Sequence, residues 1–503
     1  MNKLNSIISS FSLDEQQSFI QFLDKKNKRK DAKNIQLFKL LTQDNLSSKE
    51  VHAALYKTKS TDAYHALRKR LFQSIIEFLA NSSLEEENSI DLQVIKYIIV
   101  ARSLLLRKQH KLAFKILDKA ETIAKEHHLF SLLNELYHTK IQYAYSNSFI
   151  DLEITIKNFN KNKKDLALED QLNIIYAKIR QSLSTITPNN EAIDFKTLLT
   201  STLNEHNISL NESMSFKSLH QLVTIVSFSA FITNDYYKIE AFLIETYNQI
   251  ITHKDKEKQP FYHIQTLYLI ANTLFRNKKF ETSLIYLQMM HEKMMLNRKK
   301  HYNAFKLKYH LLKSLNLNYS NKQQEAITIL ENIITTKHQD TETLLDIYLS
   351  LVMLYIQNTQ YKKAARSFSK FYHTDTWYIN KVGYEWTIKK NLIEIILHIE
   401  LENLDLVESR LLSFKRKYYS YLKEINQERV ITYLNFVETY YKNPETVTSN
   451  TFKDKVENSF EWIEAQREDI FVMSYYAWLK SKMENQSLYQ TTLELVKKVK
   501  NVN

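Results

Sequence analysis

The stretch Tyr268–Met290, YLIANTLFRNKKFETSLIYLQMM, decides how the rest of this chain is read. Leu267, Ile270, Ala271 and Leu274 recur at three- and four-residue steps, which is one face of a helix. A polar turn, RNKK, follows. Phe280, Ser283, Leu287 and Met290 then make the apolar face of a second helix. A helix pair of this kind cannot cover its own apolar surface, so it must stack on neighbours.

The same pattern recurs along the chain. Tyr348, Leu351, Val352 and Tyr355 precede Tyr361, Ala364, Phe368 and Phe371. Tyr97, Val100, Ala101 and Leu104 precede His110, Ala113, Leu117 and Ala120. Weaker copies centre on Ala326 with Leu330 and Ile333, and on Val407 with Leu411 and Phe414. Between residues 125 and 255 only generic helix pairs are visible.

These spacings resemble the tetratricopeptide repeat (TPR). The small residues Ala101, Ala113, Ala271, Ser283, Ala326 and Ala364 fall where that family needs close helix approach. Phe280 and Tyr361 sit where it places a tyrosine before the second helix. The chain departs from the family in using Ala101, Ala271 or Val352 in place of its glycine, and in lacking its closing proline. The later copies are spaced 43, 38 and 43 residues apart at Ser283, Ala326, Ala364 and Val407, against about 34 in the family. The resemblance implies an all-α, right-handed helical-hairpin solenoid over residues 89–503, with HEAT-like stacking as the competing description. It also implies a concave face lined by the first helix of each pair. There the residue after Ala271, Asn272, faces the groove, with Arg276 one turn on and Arg102 at the matching place after Ala101. Arg102, Asn272 and Arg276 are therefore candidate peptide-binding residues, suited to an acidic or C-terminal segment.

Composition narrows the chemistry. The 503 residues include one glycine and three prolines, where an average chain of this length carries roughly 35 glycines. Phosphate-cradling loops, nucleophile elbows and hairpin turns draw on residues that tolerate positive φ, so helices joined by short polar turns are expected instead. Gly383, in INKVGYEWT before Trp386, is expected to make the one backbone turn that alanine cannot. The prolines sit in polar connections at Pro188, Pro260 and Pro444. With 44% hydrophobic and 25% charged residues the chain is globular, and its 12% aromatic content fits broad helix–helix interfaces.

No cysteine is present, so disulfides, thiolate catalysis and thiolate metal sites are excluded. There is no Walker loop, no G-x-S-x-G and no H-E-x-x-H. His127 and His128 are adjacent and point about 100° apart on a helix, and His291-Glu292 lacks a second histidine four residues on. Glu85, Glu86 and Glu87 are read as complementing a helix dipole. No catalytic, cofactor or metal residues are assigned. MNKLNSIISSFSLDEQQ has too short an apolar core for a secretory signal, and no apolar run spans a bilayer, so a cytoplasmic location is expected.

Residues 1–88 read as a separate helical subdomain. Helices are expected at about 12–23, 33–42, 48–56 and 61–80, with starts marked by Ser12-x-x-Glu15, Ser47-x-x-Glu50 and Ser83-x-x-Glu86. From Lys25 to Arg70, thirteen lysines and arginines stand against four acids. Such a field favours acidic surfaces or nucleic acid. The succession NIQLFKLLTQ, SSKEVHAALYK and STDAYHALRKRLFQSIIEFL resembles a helix-turn-helix, whose last helix would expose Asp62, His65, Arg68 and Lys69. A capping subdomain has the same outline. Lys28, Arg29, Lys30, Arg68, Lys69 and Arg70 are the candidate contacts to nucleic acid or an acidic partner.

Two functions follow. The first is a non-enzymatic scaffold that binds a protein or peptide partner on a TPR-like surface. The second is a bacterial transcriptional regulator with a basic N-terminal DNA-binding region and a TPR-like sensor.

Overall fold

A computed structural model describes the chain except residues 1–2, 10, 12, 27–32, 43–47, 57–61, 87–89, 147–150, 185–215, 234–235, 253–258, 337, 339, 460–469 and 499–503. The described residues are almost entirely helical and contain no strand. They fall into two compact units, Met1–Lys164 and Asp165–Asn503.

Unit 1 holds α1 (Lys3–Ser9), α2 (Leu13–Lys26), α3 (Lys33–Leu41), α4 (Ser48–Leu55) and α5 (Asp62–Glu86). It continues with α6 (Ile90–Leu106), α7 (His110–Glu126), α8 (Phe130–Gln142) and the beginning of α9 (Leu152–Ser184). The first five helices close over their own core, from Leu4 to Phe78. Aromatic rings fill its centre: Phe19 lies 4.8 Å from Phe38 and 5.1 Å from Phe78, centroid to centroid. The α3, α4, α5 succession expected from the sequence is present, and α3 packs on both of the others. Ser12 and Ser47 lie outside the described residues. Ser83-x-x-Glu86, expected as a helix start, lies inside α5, which runs unbroken to Glu86. In α6 the buried face is Val94, Ile98, Ala101 and Leu105, while Val100 is exposed. The expected face is therefore one step out of register, because IIVARSLLL is apolar on nearly every side.

Unit 2 continues with α10 (Phe216–Thr233), α11 (Tyr237–Thr252), α12 (Pro260–Arg276), α13 (Phe280–Lys299), α14 (Tyr302–Tyr319) and α15 (Gln323–Ile333). It goes on through α16 (Thr341–Gln357), α17 (Tyr361–Phe368), α18 (Asp375–Val382), α19 (Tyr384–Glu400), α20 (Leu404–Glu424) and α21 (Glu428–Lys442). It ends with α22 (Asn450–Ser459), α23 (Ile470–Glu484) and α24 (Leu488–Lys498). Antiparallel pairing is local: α12 with α13, α14 with α15, α16 with α17, α19 with α20, and α23 with α24. The first helices also touch each other in sequence, α12 on α14, α14 on α16, and α16 on α19.

The small residues sit at the crossings. Ala271, Ser283, Ala326 and Ala364 are fully buried. Ser283 Oγ donates to the Ala271 carbonyl at 2.7 Å, and Ser314 Oγ to the Ala326 carbonyl at 2.8 Å. Each serine thus satisfies its hydroxyl while letting two backbones approach. Two apolar cores result, one around α10–α14 and one around α15–α22. Helix α23 belongs to both: Ile470 and Met473 enter the first, Tyr475, Tyr476, Trp478, Leu479 and Met483 the second.

The turns correct one expectation. Positive φ is not avoided; it is supplied by residues other than glycine. Lys108, His128, Lys278, Asn321, Thr359, Glu402, Asn426 and Asn485 all have φ between 51° and 64° just after a helix. In these turns the backbone closes the same way. In the turn after α12, Lys278 N–H donates to the Phe275 carbonyl (2.9 Å) and Lys279 N–H to the Leu274 carbonyl (2.8 Å). After α16, Thr359 N–H donates to Ile356 and Gln360 N–H to Tyr355. This is the Schellman pattern, which caps the last free carbonyls of a helix. The residue ending it is also the N-cap of the next helix, as at Gln360 before α17, so three residues reverse the chain. Pro260 opens α12 at its first position, where a missing N–H costs nothing. Pro188 lies outside the described residues.

Gly383 differs from all of these. Its φ of 91° and ψ of 169° lie in a region open essentially to glycine alone, as expected from the sequence. No atom lies within 4 Å of where a Cβ would stand, so the constraint is conformational and not steric. Gly383→Ala should therefore lower stability by about 1–3 kcal/mol. Thr359→Gly should do the reverse. It removes a β-branched residue from left-handed geometry, worth about 1–2 kcal/mol, against a glycine entropy cost of about 0.5–1 kcal/mol. Denaturant titration of the two single variants checks both signs; equal effects at the two positions would refute the distinction.

Candidate binding pocket

The stripe that carries Asn272 and Arg276 opens onto a pocket of about 390 Å³. Helices of unit 2 build its walls with residues at helical spacing. Helix α12 gives Tyr268, Asn272, Phe275 and Arg276; α14 gives Leu311, Leu312, Leu315 and Tyr319. Helix α16 contributes Glu342, Asp346, Leu349, Ser350, Met353 and Gln357, and α19 contributes Glu385, Trp386, Lys389 and Ile393. Phe471 and Tyr475 of α23 also line it, and Tyr475 is fixed there by its hydroxyl donating to the Lys389 carbonyl at 3.0 Å. Val382, next to Gly383, is a lining residue too. The glycine turn thus positions the N-terminal end of α19, which carries Glu385 and Trp386.

The pocket is apolar with a few convergent charges, the usual make-up of a ligand site. Arg276 is held between aromatic rings, 5.6 Å from the Tyr236 centroid and 5.1 Å from that of Phe471. Lys389 pairs with Glu385 at 2.6 Å and lies 5.5 Å from the same Phe471 ring. Trp386 Nε1 donates to Asp346 Oδ1 at 2.8 Å. Asp346 remains open to solvent at the pocket wall, yet the surrounding protein crowds it. That desolvation pushes its carboxyl up to about 6, against the opposing pull of the Trp386 hydrogen bond and the Lys389 and Arg276 charges. Burial, with the nearby Asp346 charge, likewise pushes the Tyr268 hydroxyl up to about 12. Gln357 is 2% exposed; its Oε1 accepts from Asn318 at 3.1 Å, and its Nε2 meets no hydrogen-bond partner among the described residues.

Of the candidate peptide-binding residues, Asn272 and Arg276 come together here. Arg102 lies in unit 1, half-exposed, where it pairs with Glu135 at 2.6 Å and lies 3.3 Å from Thr139 Oγ1. In the basic N-terminal region, Lys28, Arg29 and Lys30 lie outside the described residues. Arg68 is partly buried, donating to the Tyr64 hydroxyl (3.1 Å) and to Asn5 Oδ1 (3.4 Å). Lys69 and Arg70 are exposed on α5, as are Asp62 and His65. Lys26 is paired with Glu77, and Lys33 lies 3.9 Å from the Tyr56 ring centroid.

Sequence reasoning missed Asp346, Trp386, Lys389 and Phe471 as site residues. A signal existed for part of the wall. Placing the α16 repeat on the α12 repeat sets Met353 opposite Asn272 and Gln357 opposite Arg276, and all four line the pocket.

Among the described residues no group of three or more histidine, aspartate or glutamate side chains is arranged to hold a metal ion, and no helix is long and apolar enough to cross a membrane. No protein-family model matches this chain, and no curated protein matches it.

Proposed function

We propose that this chain is a non-enzymatic binding protein. In this reading unit 2 is a TPR-like α-solenoid that holds a peptide segment of a protein partner on its first helices. The observation that carries it is the convergence of Asn272 and Arg276, the groove positions implied by the repeat, with Asp346, Trp386, Lys389 and Phe471 on one apolar pocket. Contact between successive first helices supports the stacked arrangement. A concave apolar wall with a few fixed polar groups suits an extended or helical segment with one anchoring side chain.

Selection of a random dodecapeptide display library on the full chain tests the reading. Enriched peptides should lose about tenfold or more in affinity when the pocket is plugged by Ser350→Trp. Peptides that bind the plugged variant equally well would take the pocket out of the function. Failure to enrich any sequence would remove peptide binding itself.

A further inference from the structure

We infer that the pocket takes a basic side chain, lysine or arginine, of the partner segment, with the Asp346 carboxylate as its receptor. This rests on the peptide-binding reading of the same pocket and names the chemistry of the anchor.

The charges in the pocket are unequally matched. Lys389 is in contact with Glu385, and Arg276 stacks between two rings. Glu342 stands 4.0 Å from Lys381 and is largely solvated. Asp346 has only the indole N–H of Trp386 on Oδ1, and no salt bridge among the described residues. Its carboxylate is open to an incoming group from the pocket side, yet crowded enough by protein that the ionised form is less favoured than in water. A cation placed on Oδ2 relieves that penalty, and a second carboxylate would increase it.

The walls fit such a guest. Trp386 and Tyr268 line the pocket with the acid, and Leu349 and Met353 lie one and two turns along the same helix. An aliphatic stem therefore packs on apolar surface while its charged end reaches Asp346. An acidic or terminal-carboxylate guest would instead meet Asp346, the lining carboxylate that has no salt bridge among the described residues. This points away from the acidic partner expected from Arg102, Asn272 and Arg276.

The test uses the full chain and the peptides enriched by display at pH 7.5. They should share a lysine or arginine whose replacement by norleucine weakens binding about tenfold or more. Asp346→Asn keeps an acceptor for the Trp386 indole. It should weaken the parent peptide by the same factor and leave the norleucine peptide unchanged, so that the two changes are not additive. Binding of the parent peptide should also weaken between pH 7.5 and about pH 5 in the wild type, and not in Asp346→Asn. The groups around Asp346 are Tyr268 and Arg276 on α12, Asp340 and Glu342 at the start of its own helix, and Glu385 and Lys389 on α19. Loss of the pH effect in the variant assigns it to Asp346 and not to these. Should Asp346→Asn unfold, a charge exchange keeps the question open to measurement: Asp346→Lys should bind the peptide carrying glutamate in place of its basic residue. Peptides that require the open pocket yet lack a basic determinant and tolerate Asp346→Asn would overturn the inference and leave the peptide reading standing. Absence of any pocket-dependent peptide would overturn both.

Discussion

Trp478→Ala should destabilise unit 2 by about 3–5 kcal/mol, the range for removing a large buried aromatic side chain. Trp478 is 1% exposed and is among the largest fully buried side chains of the described residues. Its ring packs edge-on against Tyr440 at 5.5 Å, which joins α23 to α21. Its Nε1 donates to Glu400 Oε1 at 2.6 Å, which joins α23 to the end of α19. Lys482 reaches the same carboxylate at 2.7 Å, and the Tyr361 hydroxyl bonds to it from α17. Alanine therefore opens a cavity and also deprives a nearly buried carboxylate of one donor. Trp478→Phe separates the two effects. It keeps a buried aromatic ring and removes the hydrogen bond with only part of the indole volume, so it should cost less than alanine, about 1.5–3 kcal/mol with a charged acceptor. The measurement is guanidinium unfolding together with amide hydrogen exchange. In the alanine variant, exchange should accelerate first in α23 and α24, because Trp478 ties α23 to helices distant in sequence. Unchanged protection there would show that the contact to Glu400 carries little. The same helix supplies Phe471 and Tyr475 to the pocket, so peptide affinity should fall along with protection.

The hairpins are legible in the sequence wherever one face is strongly apolar and the other polar. Phe280, Ser283, Leu287 and Met290 mark α13 in this way, and all four are buried. Helix α6 reads out of register because Ile98, Ile99, Val100, Leu104, Leu105 and Leu106 leave no polar face to fix the phase. The turns escape the sequence for a different reason. Glycine announces positive φ most clearly from sequence, and asparagine, as at Asn321, Asn426 and Asn485, more weakly. Lysine, asparagine and even threonine adopt it here because the two Schellman hydrogen bonds and the packing of the next helix hold them there. The pocket is half legible. Asn272 and Arg276 share a helix and a repeat position, so local spacing places them together. Asp346, Lys389 and Phe471 reach the same space from helices about 70 to 200 residues further along, and nothing in local spacing brings them there.

The buried ion network between α18, α19 and α20 should give unit 2 an acid-sensitive component of stability. Asp375, at the start of α18, accepts from Lys417 Nζ at 2.8 Å and from Asn391 Nδ2 at 3.3 Å, and lies 3.3 Å from Lys390 Nζ. Lys390 is itself 6% exposed, and its only other carboxylate among the described residues is Glu394 at 3.9 Å. Burial by itself would raise the Asp375 carboxyl. The Lys417 hydrogen bond, the Lys390 charge and the Asn391 amide outweigh it and hold the group at about 2, below its ordinary 3.8. A carboxyl whose folded value is depressed stabilises the fold above the unfolded value. That contribution is lost as pH falls from about 4 through about 2, and at neutral pH it is worth about 2 kcal/mol. Asp375→Asn removes it and also leaves Lys390 buried with one distant partner, so the full loss at pH 7 should approach about 3 kcal/mol. Unfolding free energies of wild type and variant, compared from pH 7 down to about pH 2.5, give the discriminating result. The gap should be constant above about pH 5 and narrow below pH 4, because acid neutralises in the wild type the charge that the variant already lacks. A gap that stays constant to the lowest pH would mean that the amide substituted for Asp375 fails for reasons of shape, and that the carboxylate charge does not hold α18 against α19 and α20.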